Sequence, residues 1–271
     1  MSTHECETCP VASELAPLGL QVGATDRVVA LAGNPNTGKS TLFNALTGLH
    51  QHTGNWPGKT VTRAEGGFSY DKVRYKVVDL PGTYSLLSAS QDEEVARDFI
   101  LFGQPDAVLV VTDASALERN LNLVLQVLEI TDRVVVAVNL MDEARRKGIE
   151  VDTRSLTRDL GVPVVPIVAR TGEGLHALLS ALDGVANGAT VTRPLRVTGT
   201  PEFEHAVGEL MAQVEAAAPG VPNSRWLAIR LLDGDARVEE ALRTGELVRL
   251  VSRQQQRDVR FSRQIALQGA Q

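Results

Sequence analysis

An eight-residue stretch in the first fifth of the chain has the residue types of a loop that binds phosphate groups. Residues 33–40 read Gly-Asn-Pro-Asn-Thr-Gly-Lys-Ser, a complete G-x-x-x-x-G-K-S motif. Its glycines let backbone N–H groups turn towards phosphate oxygens, and a helix from Lys39 to Gly48 adds its positive end. We expect Lys39 to bridge the terminal phosphates and Ser40 to give Mg²⁺ a hydroxyl ligand. The predicted nucleotide contacts of this segment are Gly33, Asn34, Asn36, Thr37, Gly38, Lys39, Ser40 and Thr41.

A second motif, Asn139-Leu-Met-Asp142, has the residues to recognise a purine base. It resembles the N-K-x-D guanine box of the small GTPases, with Leu in place of the usual Lys. A carboxylate accepts from both the ring N–H and the exocyclic amine of guanine. Adenine lacks this pair of donors, so ATP would leave Asp142 unpaired. We expect Asn139 to tie this loop to the base and to the phosphate loop. The residues that stand where a Ser-Ala-Lys-like stretch would contact the base are Val168, Ala169 and Arg170.

Between these motifs lie two segments that could respond to the terminal phosphate. Asp79-Leu-Pro-Gly82 is a D-x-x-G at the end of a strand; Asp79 would hold Mg²⁺ through water, and the Gly82 N–H would sense the phosphate. Thr60, in the polar segment Gly54-Asn-Trp-Pro-Gly-Lys-Thr60, can reach the same metal only while that phosphate is present. The alternative is that Thr60 is an ordinary loop threonine. We expect loss of the phosphate to release both segments.

The elements that position these motifs alternate along the chain. Apolar strand-like runs at 27–32, 75–79, 107–112, 134–139 and 162–167 alternate with helical patterns. This rhythm predicts an α/β domain at 27–188 with a mostly parallel sheet and helices on both faces, and the motifs above make it a Ras-like P-loop GTPase domain. Residues 1–26 carry no sustained periodicity, which predicts a flexible N-terminal tail.

The pattern changes after the last strand. A segment rich in Thr, Gly and Pro interrupts it, which predicts a linker at 189–200. The later patterns are helical only, at 202–217, 225–232 and 246–266. We therefore expect a small all-helical domain at 201–271.

Composition narrows the setting and the partners. The chain has 271 residues, of which 43% are hydrophobic, and a net charge of −6, which opposes a nucleic-acid partner because phosphate neutralisation needs excess Lys and Arg. Its two cysteines, Cys6 and Cys9, leave the body of the protein without thiols, as expected in a reducing cytosol. No run approaches the roughly 18 to 20 apolar residues that cross a bilayer, and the N-terminus lacks the apolar stretch of a secretory signal. We expect this chain to be soluble.

Four stretches together resemble the ferrous iron transport protein B family: residues 33–48, 54–58, 79–85 and 113–121. The stretch Arg225-Trp-Leu-Ala-Ile-Arg-Leu-Leu232 is similar to the cytosolic helical domain of that family. The resemblance implies a fragment of a larger bacterial membrane protein, at the cytoplasmic face of the inner membrane. It also implies GTP and GDP as ligands, the transmembrane part of the same polypeptide as partner, and a role in Fe²⁺ uptake controlled by nucleotide state.

The resemblance also bears on hydrolysis. Ras-like enzymes place a Gln directly after D-x-x-G to orient the attacking water, whereas Thr83 stands there in this chain, so intrinsic hydrolysis is expected to be slow. Relatives with the same gap use a K⁺ ion beside the phosphates. The matching residues are Asn36, with Gly54 and Trp56 in the first switch stretch, and the alternative is that Asn36 only braces the loop. The predicted catalytic residues are Asn36, Lys39, Thr60 and Gly82.

Two weaker signals and the oligomeric state stay open. His4, Cys6 and Cys9 could bind Zn²⁺ or Fe²⁺, but a closed tetrahedral site needs four ligands, so an unstructured tail is favoured. Arginines that recur near the C-terminus give one helix face a basic character, which suits anionic lipid headgroups or, more simply, solvent. These arginines are Arg249, Arg253, Arg257, Arg260 and Arg263. A homo-oligomer is compatible with the sequence.

Two other functions compete with a regulatory GTPase of an iron pathway. One is a stand-alone GTPase of the Era or TrmE type that acts on RNA, which the acidic net charge and the lack of an RNA-binding motif oppose. The other is a nucleotide-gated binding module whose hydrolysis is too slow to matter. Turnover compared with GDP release separates that module from a regulatory GTPase.

Overall fold

The computed structural model describes residues 26–48, 51–87, 90–221, 223–249 and 251–252. The chain divides into two compact units between Arg196 and Val197. This division lies inside the segment 189–200 that the sequence predicts as a linker.

The first unit is built on one seven-stranded sheet in the order β2-β3-β4-β1-β5-β6-β7. Strand β3 pairs antiparallel with both of its neighbours, and the other pairs are parallel, which confirms the mostly parallel sheet. The strands are β1 (Asp26–Gly33), β2 (Gln51–Asn55), β3 (Thr62–Tyr70), β4 (Val73–Asp79), β5 (Ala107–Asp113), β6 (Val134–Asn139) and β7 (Val164–Pro166).

Six α-helices accompany the sheet in the described part of this unit. They are α1 (Lys39–Thr47), α2 (Gln91–Phe102), α3 (Leu117–Ile130), α4 (Met141–Arg146), α5 (Thr153–Leu160) and α6 (Leu175–Ala186). Helix α2 begins where the Ser90 side chain accepts from the Glu93 N–H, and α5 begins where Asp152 accepts from two N–H groups. Such caps satisfy donors that have no partner inside the helix.

The central strands β1, β5 and β6 are buried on both faces. On one face, Leu31, Leu109 and Val135 pack in a cluster with side chains of α1 and α6, among them Leu42 and Leu178. The alternate residues of the same strands are also buried, because successive side chains point to opposite faces. Because β1, β4, β5 and β6 run parallel, their carboxyl ends meet at one edge of the sheet. The phosphate loop, the D-x-x-G segment and the Asn139 motif lie at the ends of β1, β4 and β6, whereas the 54–60 and 168–170 segments lie at the ends of β2 and β7.

The second unit is helical in its described residues. Helices α7 (Pro201–Ala217), α8 (Ser224–Leu232) and α9 (Ala236–Arg243) follow one another, and α7 and α8 confirm the predicted helices at 202–217 and 225–232. Helix α9 was not predicted. A further helical stretch begins at Glu246, as predicted, and the part of 246–266 beyond residue 252 lies outside the described residues.

The end of the first unit is an extended segment, residues 190–196, which we call the strap. The Arg193 N–H donates to the Gly161 carbonyl and the Leu195 N–H to the Leu160 carbonyl, both at 2.9 Å. The Thr192 hydroxyl donates to the Asp132 carbonyl at 2.5 Å. The strap therefore belongs to the hydrogen-bonded structure of the first unit. Across the described helices, none combines the length and the apolar character needed to span a membrane.

Candidate functional site

The phosphate loop connects the end of β1 to the start of α1. Gly38 lies at φ 83° and Asn36 at φ 66°, so the loop turns through left-handed backbone positions, which glycine adopts readily and asparagine more often than most residues. Helix α1 begins at Gly38 with no side-chain cap and no acidic residue in its first turn. Its first N–H groups are therefore left for another acceptor, as a phosphate site requires.

Asn34 is the one residue of this loop whose buried side chain lacks a partner among the described residues. It is 2% exposed, and neither Oδ1 nor Nδ2 has a hydrogen-bond partner. Its carbonyl accepts from the Thr37 hydroxyl at 2.9 Å. Buried amides are nearly always satisfied by protein or water, so this amide points to a group that enters the loop from outside the protein chain.

The D-x-x-G segment lies directly against the phosphate loop. The Lys39 ammonium contacts Asp79 at 2.5 Å, the Leu80 N–H donates to Leu31 O at 2.9 Å, and the Thr83 N–H donates to Gly33 O at 3.3 Å. Burial raises the pKa of the Asp79 carboxyl, and the neighbouring ammonium opposes that shift. The structure thus brings Lys39 and Asp79 together as an ion pair.

The donor set at this point fits Mg²⁺ in chemistry. Ser40 lies in the first turn of α1, and Asp79 ends β4, so a hydroxyl and a carboxylate follow the two neighbouring strands β1 and β4. These are oxygen ligands of the kind that Mg²⁺ takes together with water and nucleotide oxygens.

Asn139 joins the phosphate loop to the 168–170 segment, which is predicted to border the base. Its amide Nδ2 donates to the Thr37 carbonyl at 2.9 Å, and its Oδ1 accepts from the Ala169 N–H at 3.0 Å. The side chain is 1% exposed. Gly38 packs so closely that a Cβ there would lie 2.3 Å from Asn139 Nδ2. One buried amide therefore holds the phosphate loop and the 168–170 segment in register.

Asp142 lies in the first turn of α4. Leu140, the N-cap of that helix, has a left-handed backbone conformation. Asp142 Oδ2 accepts from Arg170 Nη2 at 3.1 Å, and the two side chains are 28% and 75% exposed. Val168 pairs with Glu173 in a tight bridge, which closes the loop that carries Arg170. Arg170, which is predicted to contact the base, thus contacts Asp142, which is predicted to recognise guanine.

The first switch stretch is held on α2 instead of at the phosphate loop. The Trp56 ring packs edge-on against the Phe99 ring, with 5.4 Å between centroids. The backbone carbonyl of Trp56 accepts from the Lys59 N–H at 3.0 Å. Thr60 donates to the Gln91 side chain at 3.3 Å. Gly54 is an exposed residue of β2. Thr60 and Trp56, two of the predicted metal ligands, therefore contact α2 in this conformation.

Other contacts in the second switch segment were not predicted. The Thr83 hydroxyl donates to the Ser85 carbonyl and accepts from the Ser85 N–H, so it is engaged within its own loop. Gln126 of α3 accepts from the Leu86 N–H at 2.6 Å, and the Arg119 guanidinium lies 4.4 Å from the Tyr84 ring centre. Helix α3 is distant in sequence, so no local signal marks these contacts.

Two predicted features fall outside the described residues: the group His4, Cys6 and Cys9, and the arginines beyond residue 252. Arg249 is described and donates to the Thr244 carbonyl at 3.2 Å. In the described part of the chain, no three His, Cys, Asp or Glu side chains cluster as metal ligands.

Comparison with known proteins gives the same family for both units. Residues 27–182 match the family model for ferrous iron transport protein B, and residues 200–262 match the FeoB cytosolic helical domain. The Fe(2+) transporter FeoB of Escherichia coli is 41% identical over 217 residues, which cover 76% of this chain and 27% of that protein. The chain thus spans about a quarter of that relative.

Solved structures agree in fold. The cytosolic domain of L. pneumophila FeoB aligns with a TM-score of 0.72 at 38% identity, over 82% of this chain and 88% of the other. The cytosolic domain of the T. maritima FeoB iron transporter in a GDP form aligns with a TM-score of 0.73 at 37% identity, over 83% and 86%.

Proposed function

The chain belongs to the ferrous iron transport protein B family, and from this premise we propose that its first unit binds GTP and hydrolyses it slowly. The nucleotide state would regulate Fe²⁺ uptake by a longer membrane protein of which this chain is the part at the cytoplasmic face of the inner membrane. The transmembrane part of that polypeptide is then the partner of this chain. A stand-alone GTPase that acts on RNA is disfavoured, because both units match the same transporter family.

The observation that carries the proposal is the double hydrogen bond of Asn139. A nucleotide has a charged end and a base end, and recognition of both requires a fixed distance between the two loops. Asn139 fixes it through Thr37 O at 2.9 Å and Ala169 N at 3.0 Å. The uncapped start of α1 accounts for the anionic end, and Asp142 accounts for the guanine ring.

Each predicted residue then has a distinct role. Backbone N–H groups of residues 36–41 bind the phosphates, and Lys39 moves from Asp79 to the terminal phosphates. Ser40, Asp79 and, in the triphosphate state, Thr60 would hold Mg²⁺, which neutralises charge on the phosphates when bound. The Gly82 N–H senses the terminal phosphate. The base is bordered by Val168, Ala169 and Arg170. The unpaired side-chain amide of Asn34 contacts the ligand that enters the phosphate loop.

Slow turnover follows from the residue after Gly82. Thr83 engages its hydroxyl with Ser85, so it is not positioned to orient a water molecule, as the Gln of Ras-like enzymes does. We propose that K⁺ compensates, held by the side chain of Asn36 and by carbonyls of the stretch that contains Gly54 and Trp56. That stretch must first leave α2.

The first experiment is calorimetric titration of the chain with GDP and with ADP in the presence of Mg²⁺. We expect GDP to bind about a hundredfold more tightly than ADP, since guanine offers Asp142 two hydrogen-bond donors that adenine lacks. Equal affinity for the two nucleotides, or no heat with either, removes the proposed function.

The second experiment measures phosphate release from GTP in K⁺ and in Na⁺ buffers. Turnover is expected to be faster in K⁺, and Asn36→Ala should abolish the difference while GDP binding persists. If wild type turns over equally in both salts and the variant behaves like it, Asn36 only braces the loop.

A further inference from the structure

The ion pair between Arg170 and Asp142 joins two residues that the proposed function places at the base. Asp142 offers two carboxylate oxygens, and guanine offers two donors, its ring N–H and its exocyclic amine. In the structure Arg170 Nη2 already donates to Oδ2 at 3.1 Å. Guanine therefore meets a carboxylate with one oxygen in use.

Arg170 is held in place by its loop. The preceding residue, Ala169, is anchored by Asn139 at 3.0 Å, and the following turn is closed by the Gly172 N–H to Val168 O at 3.0 Å. The Arg170 side chain is 75% exposed, so it can swing into solvent without disturbing packing. These are the properties of a side chain that occupies the carboxylate and yields to a ligand.

Neighbouring arginines do not duplicate this contact. Arg145 pairs with Glu173, and Arg146 approaches Asp142 Oδ2 only at 3.8 Å while 69% exposed. Arg170 is the guanidinium at hydrogen-bond distance from the carboxylate in the described part of the site.

We infer that Arg170 is an affinity- and specificity-determining residue that competes with the exocyclic amine of guanine for Asp142. The inference rests on the proposed function, because it assumes that Asp142 reads guanine. Competition lowers guanine-nucleotide affinity and narrows the preference for guanine over hypoxanthine, which keeps the ring N–H but lacks the exocyclic amine. Hypoxanthine needs only one oxygen, so Arg170 can keep the other.

The test compares GDP with inosine diphosphate by competition against a fluorescent GDP analogue, with Mg²⁺ present. Arg170→Ala should lower the dissociation constant for GDP about two- to fivefold, the range of an exposed ion pair, and leave that for inosine diphosphate unchanged. The GDP effect should shrink as salt is raised, because salt screens exposed charges. Arg170→Lys keeps a charge without the planar donor geometry, so its dissociation constant for GDP should lie between those of wild type and Arg170→Ala.

Arg158→Ala is the matched control. Arg158 is 74% exposed and pairs with Asp159, so its removal changes net charge equally without touching Asp142, and both affinities should stay at wild type. The inference is overturned if Arg170→Ala leaves GDP affinity unchanged, weakens it, or tightens both nucleotides equally. If wild type fails to prefer GDP over ADP in the calorimetric titration, the proposed function itself fails, which is a separate outcome.

Discussion

At the scale of single residues, the site depends on how closely the backbone at Gly38 approaches Asn139. A Cβ at Gly38 would lie 2.3 Å from Asn139 Nδ2, at φ +83°. Gly38→Ala must therefore displace the amide that joins the two loops. We expect GDP affinity to fall at least about tenfold and the free energy of unfolding to drop by about 1–3 kcal/mol, the usual range for backbone strain with a lost buried hydrogen bond.

Gly148→Ala is the control for this substitution. Gly148 has a similar positive φ of +70° but no atom within 4 Å of an added Cβ. It carries the same conformational strain without the collision, so GDP affinity should remain that of wild type in calorimetry. Equal loss of GDP affinity in both variants would show that backbone strain, and not the contact with Asn139, governs the site.

Single residues also show what the sequence could and could not predict. The tie between Asn139 and the phosphate loop was predicted from the motif at the end of a strand, whereas the ion pair between Lys39 and Asp79 was not predicted, because each residue was assigned to the ligand or its metal. The Arg170 contact with Asp142 depends on how the loop after β7 folds back. That geometry is set by tertiary bonds and leaves no trace in local spacing.

At the scale of elements, α2 holds the first switch stretch through three contacts. They are the edge-on Trp56–Phe99 pair, the Lys59–Glu94 ion pair at 2.7 Å and the Thr60–Gln91 hydrogen bond. Thr60 can serve Mg²⁺ only after leaving Gln91. Binding of the triphosphate is therefore expected to undock this stretch from α2.

Tryptophan fluorescence can follow that undocking. The chain has two tryptophans, so Trp226→Phe leaves Trp56, which is 4% exposed, as the reporter. We expect its emission to shift to longer wavelength with a non-hydrolysable GTP analogue and Mg²⁺, and not with GDP, because water reaches the ring. Trp56→Phe should lack the shift. An emission maximum that is the same in all nucleotide states contradicts the expected release.

A second element-scale contact joins β4 to α6. The Tyr75 hydroxyl donates to the Asp183 carboxylate, which also accepts from Asn187 at 2.6 Å. Burial, followed by the hydrogen bond and the charge of Asp183, raises the pKa of Tyr75 far above its ordinary value of 10.0. The folded state therefore keeps the phenol protonated where the unfolded state loses its proton.

The pH dependence of stability follows from this shift. The contribution of Tyr75 is complete below about pH 10 and is lost as pH rises further, by up to about 1.4 kcal/mol per pH unit. Urea unfolding from pH 8 to 11 should show a shallower decline for Tyr75→Phe than for wild type, with the variant about 1 kcal/mol less stable at pH 8. Parallel declines would mean that the Tyr75 phenol titrates normally in the folded protein.

The elements themselves were predictable to different degrees. The runs that became β1, β5 and β6 are rich in Val, Leu and Ala because both faces are buried. Strand β4 carries Arg74 and Lys76 next to its buried Tyr75, Val77 and Val78, and its apolar residues still gave a strand signal. Strands β2 and β3 lie at one edge of the sheet and carry polar or glycine-rich sequences, Gln-His-Thr-Gly-Asn in β2. They form by backbone pairing next to β4, so composition gave no signal. Helix α9 did carry a sequence signal, because Asp235 is a residue type that caps the start of a helix.

At the scale of the whole molecule, the position where the first unit ends can be tested. The sequence places that end at residue 188, whereas the compact unit extends to Arg196 because the strap bonds to Gly161, Leu160 and Asp132. A fragment of residues 1–196 and a fragment of residues 1–188 should both fold and bind GDP. The shorter fragment should be about 1–3 kcal/mol less stable, the net value of a few hydrogen bonds.

Gly161→Ala makes the comparison specific to the strap. A Cβ on Gly161 would lie 1.7 Å from the Arg193 carbonyl oxygen, so the strap must detach in the longer fragment. In the shorter fragment only the strain of φ +70° remains, about 1 kcal/mol. Chemical denaturation should therefore show a larger loss in 1–196 than in 1–188, and the difference measures the strap. Equal losses would place the end of the unit at residue 188, as the sequence predicts.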